Sequence, residues 1–157
     1  MKKANMILTD DQWQFLAVLD AFGGPVSAET AGTLAPLLPG PLFDLIERGC
    51  SAGWLHQDEN TCFSLTADLP DDINNKLIAM NSHKALNNMV DKIVLKQLLE
   101  NIDPDEMLTL LTRAGRRQEA GEYEIDLAHA AFTENDYETT RVYFQAAVEH
   151  LFSICSQ

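Results

Sequence analysis

Positive charge is scarce in this sequence. Of 157 residues, 11 are Lys or Arg and 24 are Asp or Glu, so the formal net charge is −13. Residues 1–80 contain 4 cations and 11 acids, and residues 81–157 contain 7 and 13, so neither half is basic. Nucleic-acid binding requires Lys and Arg to neutralise phosphates, and anionic membranes attract basic segments. The composition therefore disfavours both kinds of partner and permits binding to a basic protein surface.

Long apolar runs and regularly spaced cysteines are also missing. No stretch approaches the roughly 20 apolar residues that a membrane-spanning helix needs, and no apolar run typical of a secretion signal follows the first lysines. Cys50, Cys62 and Cys155 are odd in number and irregularly spaced, which does not predict a disulfide framework. We therefore expect a cytoplasmic protein without membrane association.

Motifs for catalysis or cofactor binding are lacking. No serine lies in Gly-x-Ser-x-Gly, and Gly23-Gly24-Pro25 has no following lysine to meet a phosphate. Cys50, His56 and Cys62 are widely spaced and have no fourth ligand, unlike a closed zinc site. The carboxylates of residues 119–126 are typical of a solvated helix face. The sequence thus predicts no catalytic residues, no cofactor, no metal and no small-molecule substrate.

Capping residues and apolar spacing predict three helices and a hairpin in the first half. Thr9 and Gln12 have the spacing of a capping box, which starts a helix reaching Phe22. Ser27 starts a short second helix, and a third runs from about 41 to 51. Two β-prone runs around residues 58–60 then predict a β-hairpin, the only strand signal in the chain.

The second half is predicted to be entirely helical. Residues 66–81 have the weakest pattern, so we expect two domains, 1–80 and 81–157. Ser82 caps a helix predicted to reach about Glu100, and Asp103-Pro104 starts another that ends near Gly115. Two further helices are expected over about 119–132 and 137–154.

The first half resembles a winged-helix domain. The run "VSAETAGTLAPLLPGPLFDLIERGCSAGWLHQDENTCFSL" has the expected order of helices and hairpin, with Gly53-Trp54 leading into the wing. The resemblance covers about residues 8–66. It implies a three-helix unit with a small β-hairpin.

The last part of the chain resembles a tetratricopeptide repeat. The run "DLAHAAFTENDYETTRVYFQAAVEHL" departs from that motif at Thr140, where Ala is usual, and at Asn135, where Gly is frequent. The matching positions are Leu127, Ala128, Asp136, Tyr137, Tyr143, Phe144 and Ala147. This resemblance implies a bundle of helical hairpins.

Together the two parts are similar to the middle region of bacterial signalling ATPases of the LuxR type. The resemblance implies a mainly α fold, with a winged-helix-like unit followed by a helical bundle like tetratricopeptide repeats. In that family the winged helix is usually an internal packing module rather than the reader of DNA.

The final helix is the predicted contact surface. It has apolar residues on more than one side, whereas a terminal repeat normally has a polar outer face. We expect Tyr143, Val148, Leu151 and Phe152 to contact a protein partner. A second candidate is the basic cluster Arg113, Arg116 and Arg117, which either binds a carboxylate or phosphate group or stabilises helix ends.

These features predict a non-enzymatic protein-interaction module of a bacterial signalling or transcription-regulatory assembly. The partner is another protein or a second copy of the chain in a homodimer. One alternative is a transcription regulator that contacts DNA through the third helix and wing, although Asp44, Glu47 and Asp58 would repel phosphate. Another alternative is a small acidic chaperone of the tetratricopeptide type with a basic client.

Overall fold

A computed structural model of the chain describes the backbone of residues 7–155 and the side chains of residues 7–152. Over this range the chain is mainly helical and contains one small antiparallel sheet, so the predicted mainly α class is confirmed. The chain divides into two compact units. Unit 1 ends at Met107 and unit 2 begins at Leu108.

The elements of unit 1 follow one another with short connections. In chain order they are α1 (Asp10–Phe22), β1 (Val26–Ser27), α2 (Ala28–Leu34), α3 (Pro39–Ala52), β2 (Leu55–Gln57), β3 (Cys62–Leu65), α4 (Asp71–Met80), α5 (His83–Leu95) and a 3-10 turn (Leu99–Asn101). The division between the units falls within α6 (Pro104–Arg113). Unit 2 continues with α7 (Arg117–Thr133) and α8 (Tyr137–Cys155).

The observed division lies later in the chain than the predicted boundary at residue 80, because α5 and the 3-10 turn also belong to unit 1. α4 packs against α1, and α5 packs against α2. Asn81, which joins the two helices, donates hydrogen bonds to the Ala17 carbonyl at 3.0 Å and to Asp20 Oδ2 at 2.9 Å. The Lys92 ammonium of α5 donates to the Leu34 carbonyl of α2 at 2.7 Å. Residues 66–81, where the sequence pattern was weakest, therefore form part of a packed unit.

The start of α1 has the predicted capping box. Thr9 Oγ1 accepts a hydrogen bond from the Gln12 amide at 3.2 Å, and Gln12 Oε1 accepts one from the Thr9 amide at 2.9 Å. The Gln12 side chain also donates to the Pro41 carbonyl at 2.9 Å, which fixes α3 against α1. One buried side chain thus serves both the local cap and the tertiary packing.

The sheet has the strand order β1-β3-β2, and both pairings are antiparallel. The predicted hairpin of β2 and β3 is confirmed, but the sequence missed β1. Val26 of β1 is paired with Phe63 of β3, whose ring also lies edge-to-face on Phe15 with centroids 6.1 Å apart. The sheet therefore joins the hairpin to α1 through the core, where Trp54 and Phe22 are also buried.

The long helix predicted from Ser82 to about Glu100 ends earlier than expected. Ser82 caps α5 by accepting a hydrogen bond from the Ala85 amide at 3.2 Å, as predicted. The helix ends at Leu95, and Gln97 then adopts a left-handed conformation with φ of 55°. Such a conformation is costly outside glycine, and the 3-10 turn that follows redirects the chain towards α6.

In unit 2, α7 and α8 form an antiparallel hairpin near their predicted positions. The connection contains Asn135 with φ of 64°, and Asp136 caps α8 by accepting bonds from the amide and hydroxyl of Thr139. The buried seam between the helices is lined by small residues. They are Ala120, Gly121, Ala128, Ala131, Thr140 and Ala147.

We expect two glycine-to-alanine substitutions to change stability in opposite directions. Alanine removes unfolded-state freedom and improves helix propensity by about 0.5–1 kcal/mol. A Cβ on Gly32 in α2 would meet no atom within 4 Å, so Gly32→Ala should stabilise unit 1. A Cβ on Gly121 would lie 2.8 Å from Leu151 Cγ, and overpacking of about 1–3 kcal/mol should outweigh the propensity gain.

Urea unfolding measures both effects. Both tryptophans, Trp13 and Trp54, lie in unit 1 and all tyrosines lie in unit 2, so the two fluorescence signals report on separate units. If Gly121→Ala stabilised unit 2 as much as Gly32→Ala stabilised unit 1, the close approach of α7 and α8 at Gly121 would be contradicted.

Candidate functional site

The faces of α8 are distinguished by their burial. Thr140 and Ala147 are buried, and Leu151 contacts the position of Gly121 on α7. These three side chains share one face because they are spaced by seven and four residues. This face of α8 forms the seam of the hairpin.

One flank of the hairpin has an exposed row of large apolar side chains, here called the aromatic strip. Four members lie on α8 at spacings of seven, four and four, and the fifth lies on α7. The members and their exposed fractions are Phe132 (57%), Tyr137 (60%), Phe144 (41%), Val148 (50%) and Phe152 (68%).

Two ring contacts show that both helices contribute to the aromatic strip. Phe132 of α7 lies edge-to-face on Tyr137 of α8, with centroids 5.7 Å apart. The His129 ring of α7 lies edge-to-face on Phe144 at 5.8 Å. Because these contacts bridge the helices on the same flank, the strip is a surface of the hairpin and not of α8 alone.

The structure separates the four apolar residues that the sequence selected on α8. Val148 and Phe152 belong to the aromatic strip. Leu151 is half-buried in the seam, and Tyr143 is half-buried on the opposite flank with His150, seven positions later. Phe132, Tyr137 and Phe144 were not selected. The helical spacing of positions 137, 144, 148 and 152 could have identified Tyr137 and Phe144. Phe132 lies on the other helix, so its place in the strip could be recognised only from the packing of the hairpin.

Acidic side chains border the aromatic strip. Glu138 and Glu149 each follow a strip residue by one position, so they point about 100° further around α8, away from the seam. Glu122 of α7 lies seven positions before His129 and shares its flank. We call Glu122, Glu138 and Glu149 the acidic rim; all three are exposed. The nearby cation Arg141 is paired with Glu138 at 2.6 Å.

The predicted arginine cluster is spread over the ends of two helices. Arg113 lies in the last turn of α6, where a cation is favourable to the helix dipole. Arg116 precedes α7 and forms an ion pair with Glu119 at 3.2 Å. Arg117 is the first residue of α7 and is exposed. Stabilisation of a helix end by the dipole therefore applies to Arg113 alone, because Arg116 and Arg117 lie at the N-terminal start of α7, where the dipole disfavours cations.

The third helix has little positive charge to offer to DNA. Arg48 is its only Lys or Arg, and the guanidinium is paired with Asp44 at 3.1 Å. Phe43 and Glu47 are exposed on the same helix. In the hairpin, Asp58 Oδ1 accepts bonds from the amides of Asn60 and Cys62, so this carboxylate organises the turn.

A buried carboxylate pairs with a histidine in the hairpin of unit 2. Glu124 is 2% exposed, and its Oε1 is paired with Nδ1 of the half-buried His150. The expectation that the carboxylates of residues 119–126 are all solvated is therefore wrong at this position. Burial of a carboxylate is costly unless a partner stabilises it.

A second unusual carboxyl group lies at the start of α6 in unit 1. Burial, a hydrogen bond with Asp103 and the charges of Asp103 and Asp105 raise the pKa of Glu106 from 4.5 to about 7. The Glu106 carboxyl group lies against Gly24, where a Cβ would require this carboxyl group to move. Burial also raises the pKa of the Cys62 thiol, with contributions from the charges of Asp58 and Glu106.

The remaining candidates do not assemble into a site. Cys50 and His56 are exposed, and Cys62 is half-buried on β3. Across the residues that the structure describes, no three His, Cys, Asp or Glu side chains are grouped as ligands for a metal ion. Likewise, none of the described helices is both long and apolar enough to cross a membrane.

We expect Glu106→Gln to stabilise unit 1 at high pH. Because the pKa of Glu106 is raised in the folded state, ionisation of this carboxyl group destabilises unit 1. The loss of folding free energy is absent below about pH 4.5, grows as Glu106 of the unfolded chain ionises, and is complete above about pH 7. Water screens this half-buried group, so we expect a gain of only about 1 kcal/mol at pH 8. The measurement is urea unfolding by tryptophan fluorescence from pH 4 to 8. The exposed Glu59→Gln is the control, and equal pH profiles for both variants would contradict the assignment.

Removal of His150 should destabilise unit 2. His150→Ala takes a partner from the buried Glu124 carboxylate, which should cost about 1–3 kcal/mol. Replacement of both residues by leucine should cost less than the single change, because the uncompensated charge is removed as well. Tyrosine fluorescence during urea unfolding measures this, with His56→Ala as an exposed-histidine control. A double variant at least as unstable as His150→Ala would argue against the pairing.

Comparison with known proteins identifies no relative. Searches against protein-family models, curated proteins and solved structures find no match to this chain.

Proposed function

We propose that this chain is a non-enzymatic protein-interaction module of a bacterial signalling or transcription-regulatory assembly, and that the aromatic strip is its docking surface. The observation that carries the proposal is the exposure of four aromatic rings and Val148 along one flank of a single hairpin. Exposed apolar side chains that are contiguous and bordered by charge are typical of protein-binding surfaces. Aromatic residues also supply much of the binding energy at such surfaces.

The order of elements supports the assembly named in this proposal. In unit 1, α1, β1, α2, α3, β2 and β3 follow one another in an order similar to that of winged-helix domains. In unit 2, the seam of small residues between α7 and α8 is similar to a tetratricopeptide hairpin. The combination resembles the middle region of LuxR-type signalling ATPases, in which such a winged helix serves in packing.

An acidic chaperone is the second candidate, because the acidic rim favours it. A chaperone of this kind would use the same strip to cover apolar segments of a basic client, and the rim would attract the client's cations. The DNA-binding alternative has weaker support. The only cation of α3 is paired with Asp44, and the surrounding carboxylates would repel phosphate.

Two valines of α8 provide a matched test of the docking surface. Val148 lies in the aromatic strip and is 50% exposed, whereas Val142 is 53% exposed on the face away from the seam and the strip. Val148→Asp should abolish partner binding, because a carboxylate would be desolvated in an apolar contact. Val142→Asp adds the same charge to the same helix outside the strip, four positions after Glu138, and should not weaken binding.

The measurement is affinity capture from an extract of the producing cells with the full chain as bait, quantified by mass spectrometry. Circular dichroism first verifies that both variants are folded. Proteins retained by wild type and Val142→Asp but lost with Val148→Asp would support the proposal. Equal capture by all three baits would rule out the strip as the docking surface.

A further inference from the structure

We infer that the aromatic strip binds a cationic amphipathic helix of a partner protein, an inference that rests on the proposed function. The partner helix has apolar side chains on one face, with Lys or Arg beside them. The shape of the strip and the charge around it support this separately.

The shape of the strip suits a helix. From Tyr137 to Phe152 the strip spans 16 residues of α8, an axial rise of about 22 Å at 1.5 Å per residue step. Its side chains stand on both helices of an antiparallel pair, and the ring contacts of Phe132 with Tyr137 and His129 with Phe144 close the space between them. A third helix laid along this flank would pack its ridges against both neighbours. Recognition of an amphipathic helix by an apolar surface of this kind is a recurring mode.

The charge around the strip selects a cationic partner. Residues 117–155, which comprise α7, α8 and their connection, contain eight Asp or Glu, two Arg and no Lys. The acidic rim follows the outer sides of both helices, and Arg141 within the strip is paired with Glu138. Lys or Arg at the edges of a bound helix would meet these carboxylates, and an acidic helix would be repelled.

The same charge disfavours a second copy of the chain. If two aromatic strips faced each other, each acidic rim would approach the rim of its partner. Like charges brought together at an interface oppose association, most strongly at low ionic strength. We therefore assign the strip to a different, basic polypeptide rather than to a homodimer.

The test uses a fluorescein-labelled amphipathic peptide of about 18 Leu and Lys residues, long enough as a helix to cover the strip. Two further peptides are a scrambled sequence of the same composition and an analogue with Glu in place of Lys. Fluorescence anisotropy measures binding to the full-length chain. We expect the amphipathic Lys peptide to bind at least about tenfold more tightly than either control, a difference of about 1.4 kcal/mol.

Protein variants separate strip binding from general attraction to an acidic chain. Val148→Asp and Phe152→Asp should each weaken binding of the Lys peptide by about tenfold or more. Nonspecific attraction to an acidic chain would have the opposite effect, because each substitution adds a negative charge. Val142→Asp adds a carboxylate beside Glu138 and Glu149 of the acidic rim and should not weaken binding. Glu122→Gln with Glu149→Gln should weaken binding and reduce its salt dependence more than Glu47→Gln with Glu59→Gln, which removes two exposed carboxylates from unit 1.

Several results would overturn the inference. Equal binding of the scrambled peptide, no binding of the Lys peptide, or no effect of Val148→Asp would each do so. Sedimentation equilibrium tests the competing occupant. A dimer of the wild-type chain that Val148→Asp dissociates would assign the strip to self-association and refute a basic partner. A dimer of this kind would leave the proposed docking function of the strip intact. That function would be contradicted only if the wild-type chain and both valine variants captured the same proteins from the extract.

Discussion

The close packing of α7 against α8 is the interaction on which unit 2 depends. Ala120, Gly121, Ala128 and Ala131 of α7 are buried, together with Ala147 of α8. Small side chains allow two helices to approach closely, and the interior then has no room for large rings. The aromatic residues of α8 are consequently displaced to the flank. The exposed strip is thus a geometric result of the seam, and both features arise from the same alternation of small and large residues.

Helix starts could be predicted because their causes are local. Thr9, Ser27 and Ser82 each accept a hydrogen bond from an amide three residues later, so the signal is contained within four positions. β1 could not be predicted, because its two residues form a strand only by pairing with Phe63 and Cys62, which lie far along the chain. The early end of α5 was missed for a similar reason, since Gln97 is not a residue type that signals a left-handed conformation.

The candidate site was predictable in part. The excess of apolar residues on the final helix pointed to α8, and Val148 and Phe152 lie in the strip. Tyr143 and Leu151 were selected because they are apolar, but the sequence does not show which face of α8 packs against α7. The position of the seam decides which apolar side chains are covered. Glu124 shows the same limit for polar residues. It looks like its solvated neighbours in sequence, yet it faces His150 inside the hairpin.

The pairing of Glu124 with His150 has a consequence for the geometry of the surface. The alanines of the seam alone would let α8 slide along α7, whereas the contact of Leu151 with Gly121 opposes such a shift within the seam. A shift by one turn, about 5.4 Å, would separate Glu124 from His150 and leave a carboxylate buried without this partner. The pair therefore adds a second constraint on the register of the two helices, from the side opposite the strip. The register in turn decides which ring of α7 lies beside which ring of α8, namely Phe132 beside Tyr137 and His129 beside Phe144.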